Sequence, residues 1–269
     1  MRPTGTARVG YGLAVFRQTH RNRPKSRTAG LAPTVQVCAA MTPPFRDRHH
    51  AGEVLTAKLG AYAGRDDVIV LALPRGGVPV AFEVARALGA PLDVFAVRKL
   101  GVPDHEELGF GAIATGGVRV LDRELVGRLG LPPGLIDQVT AREHRELERR
   151  EHVYRGDRPA PVVKGKTVIV VDDGLATGST MRAAVQALRA LGPAQIVVAV
   201  PTGARQTCEA LHTSADAVVC ATMPEPFYAV GQQYEDFSPT TDEEVCALLA
   251  AAQRLVTRDG DGNAGDRAA

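Results

Sequence analysis

Two adjacent carboxylates at the end of an apolar run are the residues of this chain best placed to do chemistry. Asp172 and Asp173 directly follow residues 168–171, a run whose β-branched composition is typical of a fully buried strand. Carboxylates in that position are costly unless something satisfies them, and the hydroxyl groups of a sugar can do so. The pair is therefore a candidate site for a ligand that carries hydroxyl groups.

The loop after the two aspartates suits an anion. It leads into a helical pattern, so unpaired amide groups at the helix N-terminus would converge on it, and the helix dipole favours negative charge there. An ordinary threonine-rich helix cap is the alternative interpretation. Hydroxyl-binding carboxylates beside an anion-binding loop would suit a phosphorylated pentose. The loop residues are Ala176, Thr177, Gly178, Ser179 and Thr180.

Residues 168–180, VIVVDDGLATGST, resemble the phosphoribosyl diphosphate (PRPP) signature of the type I phosphoribosyltransferases. The resemblance implies that Asp172 and Asp173 hold the ribose hydroxyls and that loop 176–180 surrounds the 5-phosphate. It also implies a Mg²⁺ ion, held mostly by PRPP oxygens and water with help from the two aspartates. Where the 6-oxopurine transferases carry a further aspartate, this chain has Ala176, so a purine-protonating role at that position is excluded.

A second strand, turn and helix unit carries an arginine at its turn. The apolar run 68–73 leads into the tetrapeptide PRGG, in which Arg75 can make charge-assisted contacts while Gly76 and Gly77 let the backbone approach a ligand closely. The tetrapeptide resembles the pyrophosphate loop of the same family, which implies a catalytic role for Arg75. A plain strand-to-helix turn is the alternative interpretation.

A pair of cations follows the next predicted strand, residues 93–97. Arg98 and Lys99 would raise the positive potential at the sheet edge that carries both loops. They resemble the Arg-Lys pair of orotate phosphoribosyltransferases, which implies that both are catalytic. The glycine-rich segment 100–117 that follows is predicted to be a flexible lid over the active site. Within it, GFGAIA does not lead from a buried strand into a helix, so it is not a dinucleotide-binding fingerprint.

Aromatic residues concentrate between residues 227 and 237. In the family a variable hood supplies a wall for the acceptor base, and aromatic stacking would suit that wall. Rings that merely seal the edge of the sheet are the alternative interpretation. The four candidate hood residues are Phe227, Tyr228, Tyr234 and Phe237.

Strands that alternate with helices predict an α/β fold with a doubly wound parallel sheet, as in type I phosphoribosyltransferases, with a small hood and a lateral charged helix. The charged helix is predicted at 134–155, and we expect it to be solvated and rich in ion pairs. The tripeptide GKT at 165–167 precedes its strand and lacks the first glycine of a P-loop, so a P-loop is excluded.

Composition divides the chain into a basic tail and an acidic remainder. The 269 residues carry a net charge of +2, yet residues 1–46 hold eight Lys or Arg and no acid. Without periodicity, residues 1–40 are predicted to be a disordered basic tail or a mis-assigned start of translation. The phosphoribosyltransferase domain is expected at 41–256 and a frayed tail at 257–269.

We expect a cytoplasmic protein, since no apolar run approaches the roughly 20 residues that cross a bilayer and no secretory signal is recognisable. The cysteines lack zinc-ligand spacing and are predicted to be reduced thiols. The expected partners are PRPP and a nucleobase or related nitrogen acceptor, and a homodimer is possible. No membrane is expected, and nucleic acid is not favoured. The cysteines are Cys38, Cys208, Cys220 and Cys246.

These features together predict a PRPP-dependent phosphoribosyltransferase that uses Mg²⁺, transfers the 5-phosphoribosyl group to a nitrogenous base and releases pyrophosphate. The alternative is a non-catalytic regulator of the same fold that senses PRPP or a nucleotide. Such a regulator would need neither a closing loop nor the three cations Arg75, Arg98 and Lys99. The sequence does not specify the acceptor base.

Overall fold

The computed structural model describes residues 45–103 and 105–262, and all of them fall within the compact unit Thr42–Ala269. The predicted basic tail, residues 1–40, lies outside the described residues. At the other end of the chain, the last helix continues to Gly262, past the predicted domain boundary at residue 256.

A five-stranded parallel sheet forms the centre of the described residues, with the strand order β2-β1-β6-β7-β8. Its strands are almost continuously apolar because both faces of the sheet are covered. Strands β1 and β6 are adjacent and in register along their whole lengths, so the loops that follow them leave the same edge. The five strands are β1 (Val68–Ala72), β2 (Leu92–Val94), β6 (Thr167–Val171), β7 (Gln195–Thr202) and β8 (Ala217–Thr222).

Helices pack on both faces of this sheet, which confirms the predicted doubly wound α/β fold. One face is covered by α1 (Arg48–Thr56), α2 (Gly77–Leu88) and α7 (Asp242–Gly262). The opposite face is covered by α5 (Ser179–Ala190) and α6 (Arg205–Leu211). Both interfaces consist mainly of Val, Leu, Ile and Ala side chains.

The segment predicted to be a flexible lid is instead part of a second sheet. Three antiparallel strands, β3 (Val97–Val102), β4 (His105–Ala114) and β5 (Val118–Leu121), form this sheet, and GFGAIA lies inside β4. Leu100 and Phe110 anchor it, because their buried side chains pack in a separate apolar cluster with residues of the helices that follow. The glycines of the segment obscured this strand signal in the sequence.

Two helices, α3 (Arg123–Leu129) and α4 (Pro133–Arg155), follow the second sheet. The predicted charged helix corresponds to α4, and its solvent side carries the expected ion pairs, including those of Glu146 with Arg149 and Arg150. Glu143 departs from that expectation, since it lies on the buried side of α4 and is 8% exposed.

The prediction of reduced thiols was wrong for two of the cysteines. Helix α6 packs on β8, and this brings Cys208 and Cys220 into a disulfide across a separation of 12 residues. Cys246 is a free thiol, as expected, and Cys38 lies outside the described residues. None of the helices within the described ranges is long and apolar enough to cross a membrane.

Candidate active site

The two aspartates lie at the end of β6, where the sequence predicted them. The side chain of Asp172 accepts a hydrogen bond from the backbone N–H of Asp173 at 2.9 Å, which fixes its orientation. Burial raises the pKa of Asp172 well above its usual range, and the charge of Asp173 raises it further. Burial also raises the pKa of Asp173, against the opposing effect of Arg48. Two such carboxylates would gain from a ligand that supplies positive charge or hydroxyl donors.

The PRGG turn packs directly against this pair. A Cβ atom on Gly76 would lie 2.1 Å from Oδ2 of Asp173, and one on Gly77 would lie 2.8 Å from the carbonyl oxygen of Val171. Only glycine therefore fits at either position. The peptide bond between Pro74 and Arg75, just before these glycines, is cis. The predicted turn and the predicted carboxylates thus lie side by side.

The loop 176–180 is held from outside by two neighbouring side chains. Arg182 donates to the carbonyl oxygen of Thr177 at 2.7 Å, and Thr207 donates to that of Ala176 at 2.7 Å. Gly178 has φ +68°, a value that favours glycine, and α5 begins directly after it. The amide groups of the first turn of α5 have no intrahelical acceptors, so this loop meets the general requirements of an anion site.

The two cations predicted to follow a strand lie inside β3 instead, because the parallel strand before them ends at Val94 and a new strand starts at Val97. The side chains of Arg98 and Lys99 consequently reach different elements. Lys99 Nζ donates to the hydroxyl of Ser179 at 2.6 Å and so joins the loop at the start of α5. Arg98 donates to the carboxylate of Glu143 on α4 at 2.9 and 2.6 Å.

One residue of the site was missed by the sequence reasoning. Arg48, at the start of α1, donates to Oδ2 of Asp173 through Nε at 3.0 Å and also approaches it with Nη2 at 2.9 Å. Its Nη1 donates to the carbonyl oxygen of Ser238 at 2.7 Å, and its guanidinium lies 4.0 Å from the ring centroid of Phe237. The side chain is only 10% exposed. Nothing in the local sequence distinguishes this arginine from the others near it.

The four predicted hood aromatics do not form one wall. Tyr234 is 4% exposed, and its hydroxyl donates to the carbonyl oxygen of Asp173 at 2.6 Å. Its ring lies 5.0 Å from that of Phe237, so both belong to the cluster around Arg48. Phe227 is half-buried, and Tyr228 is exposed. Tyr234 thus supports the backbone of Asp173, whereas Phe237 contacts Tyr234 and Arg48. A base-stacking role for the four residues stays a prediction.

The carboxylates of Asp172 and Asp173 fit a Mg²⁺ ion whose coordination is completed by oxygens of a bound ligand and water. No group of three or more His, Cys, Asp or Glu side chains in the described ranges could hold a metal. Asp172 and Asp173 offer hard oxygen ligands, and Mg²⁺ in nucleotide and phosphate sites is commonly bound by one or two carboxylates together with phosphate oxygens and water.

Comparison with known proteins agrees with this geometry. The family model for the phosphoribosyl transferase domain matches residues 48–237. A Mycobacterium tuberculosis protein named "Putative phosphoribosyl transferase Rv0571c" is 47% identical over 210 residues, which make up 78% of this chain and 47% of that protein. This chain therefore spans about half the length of that curated relative.

A solved structure is similar to this chain over almost its own whole length. The crystal structure of TT1426 from Thermus thermophilus is 42% identical, with a TM-score of 0.70, and the match covers 77% of this chain and 98% of that one. The "Bifunctional protein PyrR" of Brevibacillus brevis is 33% identical over 110 residues, 39% of this chain and 60% of that protein. The chain belongs to the phosphoribosyltransferase family.

Proposed function

We propose that the protein transfers the 5-phosphoribosyl group of PRPP to a nitrogenous base and releases pyrophosphate, with Mg²⁺ as cofactor. The observation that carries the proposal is the meeting of two loops at one sheet edge, the PRGG turn after β1 and the loop between β6 and α5. Carboxylates for hydroxyl groups, amides for a phosphate and the glycine turn all lie there, and Lys99 reaches the same loop from β3. A phosphorylated sugar with a diphosphate needs each of these features.

Each part of the ligand has a corresponding group. Asp172 and Asp173 accept hydrogen bonds from the ribose hydroxyls, and loop 176–180 binds the 5-phosphate. The bond between C1 and the pyrophosphate oxygen breaks, its electron pair leaves with pyrophosphate, and the nitrogen of the base attacks C1. Arg75 and Lys99 stabilise the negative charge that develops on pyrophosphate. Bound Mg²⁺ would add to that stabilisation and orient the diphosphate.

Arg98 receives a different role from the one its sequence position implied. Its guanidinium is bound to Glu143, which is itself buried, so this pair ties β3 to α4. We assign Arg98 to positioning β3, which also carries Lys99. Arg75 remains free to turn towards a ligand, since its contact with Asp242 is a long one of 3.8 Å between half-exposed side chains.

The cellular setting belongs to the same proposal. We expect a cytoplasmic enzyme of nucleotide metabolism that acts on PRPP and a nucleobase or related nitrogen acceptor, with a homodimer as a possible assembly. The disulfide between Cys208 and Cys220 argues against a cytoplasmic location, because such bonds are rare in the cytosol. Alkylation of free thiols at the moment of lysis, before purification, would report which state the cell maintains.

The test is a screen for pyrophosphate release. PRPP and Mg²⁺ are incubated with the protein and single nucleobases, and released pyrophosphate is measured against the Asp172→Asn, Asp173→Asn double variant. We expect at least one base to give release that the double variant lacks. If PRPP binds and no base gives release, the regulator hypothesis replaces the enzymatic one.

A further inference from the structure

A cavity of about 650 Å³ is lined by α4 and by the segments that follow β1 and β6. Its lining includes Pro74 of the PRGG turn, Thr180 of loop 176–180 and Lys99 of β3. Arg142 and Arg150 of α4 line the same cavity. Its volume is in the range of small-molecule sites. The helix that the sequence presented as a solvated lateral element therefore borders the candidate active site.

The α4 arginines keep hydrogen-bonding capacity for a ligand. Arg142 donates through Nε to Glu143 at 3.0 Å, and Arg150 donates through Nε to Glu146 at 2.8 Å. These contacts use Nε. Within the described part of the chain, the terminal nitrogens of both guanidinium groups stay available to a ligand. The side chains are 53% and 38% exposed, so those nitrogens can reach a bound group. Arginine pairs with phosphate oxygens through two parallel hydrogen bonds.

The charge of the cavity selects for a polyanion. Glu143 accepts from both Arg98 and Arg142, so a single carboxylate faces two guanidinium groups. Lys99 and Arg150 add two further cations to the lining. Four cations against two carboxylates, Glu143 and the Glu146 that pairs with Arg150, give an excess of positive charge, beside the turn where the diphosphate is proposed to lie. A group with several negative charges satisfies this excess, whereas a neutral base does not.

We propose that Arg142 and Arg150 bind the diphosphate group of PRPP, so that α4 forms the wall of the diphosphate site opposite the PRGG turn. The inference rests on the proposed function and adds to it two binding residues from an element outside the loops that follow β1 and β6. Glu143 then serves as a positioning residue, because it orients both Arg98 and Arg142.

The helix also offers a matched control. Arg145 is an exposed arginine of α4 that does not line this cavity. Arg142→Ala, Arg150→Ala and Arg145→Ala therefore remove the same side chain from the same helix, and only the first two remove it from the cavity. Circular dichroism and melting temperatures establish that all three variants are folded.

The experiment compares the affinities of three ligands by calorimetry: PRPP with Mg²⁺, pyrophosphate with Mg²⁺, and ribose 5-phosphate. We expect Arg142→Ala and Arg150→Ala each to weaken PRPP and pyrophosphate binding by about tenfold or more, the scale of a hydrogen bond to a charged group. Ribose 5-phosphate affinity should stay unchanged in both, and Arg145→Ala should match the unaltered protein for every ligand.

The outcomes separate this inference from the function on which it rests. If the unaltered protein binds PRPP and both cavity variants keep that affinity, α4 carries only solvated ion pairs and this inference is overturned. An equal loss in Arg145→Ala overturns it as well, since the effect would then come from the net charge of the helix. If the unaltered protein does not bind PRPP, the proposed function fails together with the inference.

Discussion

The loops of the parallel sheet and the region formed by β3 and α4 assemble their charged groups in different ways. At the end of β6, the two aspartates and the phosphate loop are nearly contiguous in sequence, so one strand-to-helix turn presents them all. In the second region, Arg98 meets Glu143 across 45 residues, and Lys99 meets Ser179 across 80. The first region can be recognised as a motif. The second exists only once the chain has folded.

This difference suggests that the two regions serve different parts of the ligand in the proposed site. Under the proposed function, the contiguous loop after β6 would hold the sugar and its phosphate, which are common to every acceptor. The cations assembled from distant elements would face the diphosphate, where charge changes during the reaction. Variants in the two regions should therefore separate binding from turnover.

The largest effect is expected from Lys99→Ala. Lys99 reaches the start of α5, and stabilisation of the departing pyrophosphate enters turnover directly. Loss of one such donor should cost about 2 to 4 kcal/mol of barrier, by analogy with an oxyanion donor. Ribose 5-phosphate affinity should fall much less than turnover, through the lost contact of Lys99 with Ser179. Steady-state kinetics with the active base measure this.

Arg98→Ala is the comparison variant for that experiment. Because Arg98 is bound to Glu143, its removal should lower the melting temperature more than Lys99→Ala does. Its turnover at a temperature where the variant is folded should fall less. Equal loss of turnover in the two variants, without a difference in melting temperature, would contradict the division between them.

An intermediate effect is expected from Arg48→Met, which keeps much of the packing on Phe237 and removes the charge from Asp173. Arg48 lowers the pKa values of both aspartates, so without it those pKa values rise further. PRPP affinity at neutral pH should fall about tenfold, and its pH profile should move to higher pH. Arg46→Met, at an exposed position two residues earlier, is the control. An unmoved pH profile would show that Arg48 has a packing role only.

The smallest effect is expected from Asp172→Asn and is a change in melting temperature whose direction follows from the raised pKa of Asp172. The raised pKa of Asp172 means that folding favours its protonated form, so stability is lost as pH rises from the unfolded value through the folded one. Asp172→Asn should therefore raise the melting temperature at neutral pH, by a few degrees, and the gain should vanish near pH 3.

Asp67→Asn is the opposite control. Arg65 and Thr167 lower the pKa of Asp67 to about 2, so its contribution is present above the unfolded value and is lost as pH falls towards about 2. This variant should melt at a lower temperature than the unaltered protein at neutral pH, with the difference shrinking in acid. If both variants change the melting temperature in the same direction at neutral pH, burial of Asp172 is refuted as the cause of its effect on stability.

The sequence was sufficient wherever one segment carries the whole signal. The apolar run before Asp172 predicted a buried strand, and PRGG predicted a turn whose glycines do face a close neighbour. Prediction failed where the deciding contact is between distant segments. No local pattern reveals that Arg48 would meet Asp173 across 125 residues, or that Cys208 would lie beside Cys220.

Calorimetric titration of PRPP with Mg²⁺ tests the central claim, that Asp172 and Asp173 at the end of β6 form the sugar site. The unaltered protein and the Asp172→Asn, Asp173→Asn double variant are compared, with circular dichroism to show that both are folded. The account predicts binding to the unaltered protein and a loss of about a hundredfold or more in the double variant, since two charged acceptors are removed. Equal affinity of the two proteins would contradict it.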